Sequence, residues 1–188
     1  KGMPLMGTIT KKPWTAEELS RLPKGWRYEI DEGELVIMAP AGWRHGKVTN
    51  RVAFTLSRFV YERQLGEVVA GESGFFVRRG PDVLRAADVA FYSTERAARV
   101  GNASGFTAVP PDLAVEVQDP SEPDLTRKVQ QYLEAGVRAV WVVDPQARTL
   151  TRHAPEKPPR TWTESEAVVE EPVLPGFTCR LAELLGDG

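Results

Sequence analysis

The sequence is short of the residues that most often carry redox and soft-metal chemistry: it holds one cysteine, Cys179, and two histidines, His45 and His153. A lone thiol closes no intramolecular disulfide and builds no thiolate metal cage, and it fits a reducing compartment; core packing is the expectation for Cys179. Long apolar runs are also missing. Val140 to Val143 falls far below the ~20 residues a membrane helix needs, and no signal-peptide pattern opens the chain. A cytoplasmic protein with no membrane partner is therefore expected. Nor is there an excess of one charge. The 24 basic and 26 acidic residues sum to −2, so no global cationic field points to nucleic acid or an anionic membrane, and any such contact has to come from a local patch. Phosphate-cradling glycine motifs are absent, and Ser73, Ser121 and Cys179 lack a strand-to-helix elbow, which argues against acyl-transfer hydrolases. Asparagine is scarce (2), as is methionine (3), and 17 arginines outnumber 7 lysines, a bias that fits a heat-adapted or GC-rich source.

What is present is an ordinary globular composition, 188 residues with 41% hydrophobic and 27% charged side chains, enough to bury a core. One domain is expected over residues 13–188, with 1–12 a flexible N-terminal segment. Thr15-Ala16-Glu17-Glu18 has the spacing of a capping box and predicts a short helix ending at Leu22-Pro23. Segments 26–30 and 34–39 around Asp31-Glu32-Gly33 read as a hairpin. Val48, Val52, Leu56, Phe59 and Val60 recur in steps of three and four, predicting an amphipathic helix over 43–64 that stops at Leu65-Gly66. Strands at 67–71, 74–78 and 87–92 are read as a small meander, with Arg79-Gly80-Pro81-Asp82 as the turn between the last two. A short helix over 94–100, a strand at 113–118, a helix over 124–135 stopped by Gly136 and an apolar strand at 139–143 follow. A hairpin of 149–153 and 161–165 across a proline-rich loop 154–160 and a terminal helix at 181–185 complete the pattern. The order points to a mixed sheet flanked by helices.

Two charged residues sit where packing alone would choose otherwise: Asp88 within 87–92 and Glu116 within 113–118. Alternation puts Val115 and Val117 on one face and Glu116 with Gln118 on the other, while Asp88 lies opposite Val89 and Phe91. If the strands are neighbours, the carboxylates converge. Such a pair makes a hard-oxygen site suited to Mg²⁺ or Mn²⁺; a buried ion pair, or strand-end carboxylates bonded to loops, is the alternative. Lys128 shares the sheet-facing side of its helix with Leu125 and Tyr132, either as a cation for developing phosphate charge or as a snorkelling partner of a nearby acid. Glu29 is a third candidate acid, or an edge-strand residue paired to Arg27. His45, in steps of three and seven before Val48 and Val52, turns toward the core at a helix start, where it could receive phosphate or sit half-buried and hydrogen-bonded. Arg78, Arg79 and Arg85 around Gly80 are the candidate phosphate-backbone contacts, or a solvated loop.

These residues also form an ordered set: Tyr28-Glu29-Ile30-Asp31-Glu32-Gly33-Glu34-Leu35, Arg44-His45-Gly46-Lys47-Val48, Asp88, Pro111-Asp112-Leu113-Ala114-Val115-Glu116-Val117, Asp119-Pro120-Ser121, Lys128 to Gly136, and Ala139-Val140-Trp141-Val142-Val143-Asp144-Pro145. Over roughly 15–185 this resembles the Uma-two family of restriction endonucleases, within the PD-(D/E)XK nuclease superfamily. The resemblance implies a restriction-endonuclease-like three-layer α/β fold, a mixed β-sheet flanked by helices, and Mg²⁺- or Mn²⁺-dependent cleavage of DNA. It assigns Asp88 and Glu116 to the metal, with the Val117 carbonyl as a further ligand, and Lys128 to charge stabilisation from the following helix. Gln118 stands where the superfamily's usual lysine would be, and Ala87 where many relatives carry proline. Glu29 and His45 match recurring family positions. A homodimer suits symmetric double-strand cutting. The rival expectation, prompted by Gln118, is a decayed nuclease scaffold that binds nucleic acid or a partner protein without catalysis.

Overall fold

A computed structural model describes residues 12–19, 21–23, 26–71, 73–120 and 124–186. The segment expected to be flexible lies outside the described residues except for Lys12, whose ammonium pairs with Glu18 at 3.0 Å. Ser121 lies outside them too. The Thr15 box forms as expected: Glu18 Oε2 accepts the Thr15 N–H at 2.9 Å, opening α1 (Ala16–Leu19). β1 (Arg27–Asp31) and β2 (Glu34–Met38) pair antiparallel from Arg27↔Met38 to Asp31↔Glu34. Their turn needs two left-handed residues, supplied by Glu32 (φ 52°) and Gly33 (φ 78°), the backbone twist that suits a tight hairpin.

α2 (Trp43–Glu62) buries His45, Val48, Val52, Leu56 and Val60 along one stripe. Its stop differs from the expected one. Gln64 takes the left-handed position (φ 53°), and Gly66 instead opens β3 (Gly66–Ala70). There a Cβ would stand 2.0 Å from the Tyr92 carbonyl oxygen, so glycine is required by close backbone approach. The expected meander is replaced by strands of two sheets. β4 (Gly74–Arg78) turns through 79–82 into β5 (Val83–Ala86), a strand the sequence reading passed over, and these join β1 and β2 in a four-stranded sheet ordered β2-β1-β5-β4. β6 (Val89–Ser93) leaves that sheet and pairs with β3. α3 (Thr94–Val100) starts at Ser93, whose hydroxyl accepts the Arg96 N–H.

β7 (Leu113–Val117), α4 (Thr126–Glu134) and β8 (Ala139–Asp144) form a strand-helix-strand crossover, β7 and β8 pairing parallel. β9 (Thr149–Ala154) and β10 (Lys157–Thr163) follow. The proline-rich loop is therefore largely strand: Pro158 and Pro159 sit in β10, at the edge of the six-stranded sheet β10-β9-β8-β7-β6-β3, where a register shift between Lys157 and Arg160 leaves both without a paired residue in β9. A small ribbon of β11 (Ala167–Val169) and β12 (Thr178–Arg180) leads into α5 (Leu181–Leu185).

Alternation along the six-stranded sheet creates two cores. Val89, Phe91, Leu113, Val115, Val117, Trp141 and Val143 pack against α2, α5 and the ribbon that holds the buried Cys179. Ala90, Tyr92, Ala114 and Val140 face the opposite way, onto α4 and Phe75 of β4. The result is a mixed sheet between helical layers, with the four-stranded sheet set beside α4.

Candidate active site

The adjacency required for the carboxylates to meet is realised. β6 and β7 pair antiparallel with Val89 opposite Val115, which brings the residue before β6, Asp88, level with Glu116. Asp88 precedes the strand instead of lying inside it, so alternation does not fix its side chain. Two hydrogen bonds do: Asp88 Oδ2 accepts from the Val117 N–H at 2.8 Å and from His45 Nε2 at 3.1 Å. The first turn of α2 thereby locks to the end of β7. Oδ1 makes no hydrogen bond among the described residues and has Arg27 Nη2 4.0 Å away. Arg27 thus faces Asp88, and the expected Arg27–Glu29 pairing gives way to another arrangement.

Glu29 lies on β1, an interior strand, and is 1% exposed. Its Oε1 accepts the Ala86 N–H at 3.1 Å and lies 3.1 Å from Lys128 Nζ, while Oε2 receives Arg85 Nη1 at 2.8 Å. Lys128, on α4, also donates to Glu116 Oε2 at 3.0 Å, and the Tyr132 hydroxyl donates to Glu116 Oε1 at 2.6 Å. Lys128 and Tyr132 are one helical turn apart. Both therefore reach the same carboxylate, Lys128 as a buried pair partner instead of a snorkelling one.

Arg85 overturns the reading of an arginine hairpin tip. It is 5% exposed and spans Glu29, Asp31 Oδ2 (3.0 Å) and Gln131 Oε1 (2.8 Å). Arg78 pairs with Glu32, and Arg79 reaches Glu17 at 3.0 Å while lying 3.6 Å over the Phe76 ring. All three cations serve internal contacts. Arg85, Gln131 and Tyr132 are the site residues the sequence reading missed; the last two were within reach as the helical neighbours of Lys128.

Glu29, Asp88 and Glu116 thus converge as three buried acids against two buried basic side chains, Lys128 and Arg85. Burial, with the negative charge of Asp88 and Glu29, pushes the Glu116 carboxyl up to about 8, against the pull of Lys128 and Tyr132. The hydrogen bond to Asp88 holds the His45 imidazole above its usual value, despite burial. Burial works against the Arg85 charge, but Glu29 and Asp31 outweigh it and raise it overall. Asp88, Glu116, Val117 and Asp119 wall a cavity of about 250 Å³ closed on its other side by β2. Gln118 lies outside it, beside α4 and in the neighbouring cleft that Trp43 and Asp144 line. Among the described residues, no group of three or more His, Cys, Asp or Glu is placed to hold a metal. The donors that are present, two carboxylates with one Asp88 oxygen that makes no hydrogen bond among the described residues, suit a hard cation that retains water ligands and not a closed zinc cage.

A mixed sheet between helices, with an aspartate and a glutamate at the ends of adjacent strands and a lysine from the next helix, defines a restriction-endonuclease-like α/β protein. The chain belongs to the Uma2 family, described as "Putative restriction endonuclease", which matches residues 16–182. Its fold is similar to that of a crystal structure from Anabaena variabilis, titled as a "putative nuclease belonging to DUF820", at TM-score 0.78 and 17% identity, covering 92% of this chain and 98% of that one. No match was found among curated proteins.

Proposed function

We propose that the protein is a divalent-metal-dependent endonuclease that hydrolyses DNA phosphodiester bonds. The observation that carries this reading is the convergence of Asp88 and Glu116 on one cavity wall with Lys128 and Glu29 directly behind them. Asp88, Glu116 and the Val117 carbonyl would hold Mg²⁺ or Mn²⁺. Such an ion supplies Lewis acidity to the scissile phosphate and lowers the pKa of a bound water.

The remaining work falls to the chain. Val117 N–H and His45 fix the Asp88 carboxylate so that its open oxygen faces the cavity. Lys128 and the Tyr132 hydroxyl orient Glu116 from behind, and Lys128 adds positive charge to the site as charge develops on the phosphate. Glu29, held by Arg85 and the Ala86 N–H, positions Lys128 from behind. Gln118 leaves the strand position of the usual lysine empty, which makes Lys128 from α4 the cation of the mechanism.

The competing reading, a decayed scaffold, draws on the engagement of Lys128 with two acids and of both Glu116 oxygens. The test is a panel of supercoiled, linear and single-stranded DNA incubated with Mg²⁺, Mn²⁺ or chelator. Metal-dependent cutting that Asp88→Ala and Glu116→Ala abolish, with circular dichroism unchanged, is the expected result. Cutting that persists in either variant overturns the assignment, and a wild type that binds no metal favours the decayed scaffold.

A further inference from the structure

Arg85 is buried, and Arg78 and Arg79 are already paired with Glu32 and Glu17; α2 offers a second cationic surface. Its inward stripe is apolar, but its outward face carries Trp43 (89% exposed), Phe54 (64%) and Tyr61 (49%). Trp43 and Tyr61 stand five turns apart at about 3.6 residues per turn, with Phe54 between them on the same side. The three rings therefore stand in one line along the helix, separated by about 16 Å and about 10 Å at 1.5 Å of rise per residue, and that line is the ridge. Beside the ridge run Arg44, Lys47 and Arg58, against Glu62 as the acid of the helix, while Arg51 turns to the Glu183 carbonyl at 3.4 Å. Arg58 lies 6.0 Å from the Phe54 ring centroid, and the Tyr61 hydroxyl donates to Glu67 at 3.2 Å, fixing that ring.

On its other side the ridge borders a cavity of about 270 Å³ where Gly46, Asn50 and Ala53 of α2 face Ala70 and Gly71 and open onto His45 and Asp88. The catalytic acid is thus reachable from the α2 side as well as from β2, past small residues that leave room for a chain.

We propose that this face of α2 is a track for single-stranded DNA, with bases stacked on Trp43, Phe54 and Tyr61 and phosphates against the flanking cations, delivering the strand to Asp88. Stacking platforms beside a cationic groove are how proteins hold unpaired strands without reading sequence. A duplex hides its base faces and offers the ridge nothing to stack on. A second copy fits poorly, because pairing α2 with itself across a two-fold axis sets a net-positive face against an identical one. The proposal deepens the nuclease reading and rests on it only for what happens after the strand arrives.

Binding is measured in chelator, so that it is independent of cleavage, by fluorescence anisotropy of a dye-labelled oligothymidine and a duplex of equal length. The expected result is tighter binding of the single strand, with quenching of tryptophan fluorescence that Trp43→Leu removes. Phe54→Ala and Trp43→Ala each weaken single-strand binding about 5- to 100-fold. Both side chains are exposed, and far-UV circular dichroism confirms that the variants fold. The double variant Arg44→Glu with Arg58→Glu flattens the slope of log affinity against log salt by about 1.4. Ridge variants that bind like the wild type, a duplex that binds equally well, or a dimer that Phe54→Ala splits into monomers each overturn the track. Wild type that binds the single strand but cuts nothing with metal supports the track while overturning the nuclease reading. Ridge variants with undiminished binding and metal-dependent cutting do the reverse.

Discussion

Replacing Lys128 by methionine keeps the apolar stem and deletes one charge from the centre of the site. Lys128 Nζ lies 3.0 Å from Glu116 Oε2 and 3.1 Å from Glu29 Oε1, and all three residues are below 5% exposed. Removing one member of a buried pair costs roughly 3–5 kcal/mol, because the charge left behind is neither solvated nor paired. Two features place the loss at the lower end. Glu29 keeps Arg85 at 2.8 Å. Glu116, whose carboxyl burial already raises to about 8, escapes at neutral pH by holding a proton, and loss of the lysine pushes it further up. A cost of about 3 kcal/mol corresponds to a fall in melting temperature of roughly 6–12 °C for a chain of this size. Differential scanning calorimetry of metal-free protein at pH 7 measures it. The double variant with Glu116→Gln should cost less than the sum of the single variants, since the two residues share one interaction. A Lys128→Met variant that melts within a degree of the wild type, or additive single and double variants, would mean that Lys128 and Glu116 are not coupled as a buried pair.

Arg85→Met removes the common partner of Glu29, Asp31 and Gln131 and should destabilise by about 3–5 kcal/mol, whereas Arg79→Ala, at a half-exposed side chain, should cost clearly less; urea melts compare them. Gly66→Ala drives a methyl into the Tyr92 carbonyl at a positive φ of 147° and should cost at least ~1–3 kcal/mol, with β3 amides losing protection from hydrogen exchange. Cys179 is buried and its thiol is pushed up to about 12. The folded state favours the protonated thiol, so iodoacetamide should leave Cys179 unmodified at pH 8 and label it only in denaturant; fast labelling of native protein contradicts that burial.

The parts of this molecule that were legible in the sequence are those where one local pattern carries the information. The inward stripe of α2 with His45 on it, the capping box at Thr15 and the hairpin at Gly33 are short-range patterns, and each element starts where its pattern placed it, although α1 stops at Leu19, short of Leu22-Pro23, and α2 stops at Glu62. Asp88 and Glu116 were legible as acids in apolar surroundings, and the pairing of β6 with β7 brings them level. Sheet membership was not legible. β3, β4, β5 and β6 follow one another closely, yet β4 and β5 pair with each other in one sheet while β3 pairs with β6 in another, a choice made by long-range packing. Pro158 and Pro159 argue for a loop until the strand is known to be an edge. Arg85 read as a turn-flanking cation because the missed strand β5 gave no alternation to turn it inward. Tyr132 read as core, and only its contact with Glu116 reveals the hydroxyl as part of the site. The outward face of α2 went unread because the periodicity argument looks for apolar residues that bury.

The central claim, that Asp88 and Glu116 together form a divalent-cation site, is tested most directly by isothermal titration of Mn²⁺ into the wild type, Asp88→Asn and Glu116→Gln at pH 7.5. One bound ion per chain in the wild type, lost in both variants while their melting curves remain cooperative, is the predicted result. Equal Mn²⁺ binding by wild type and variants, or none by any of them, contradicts the account.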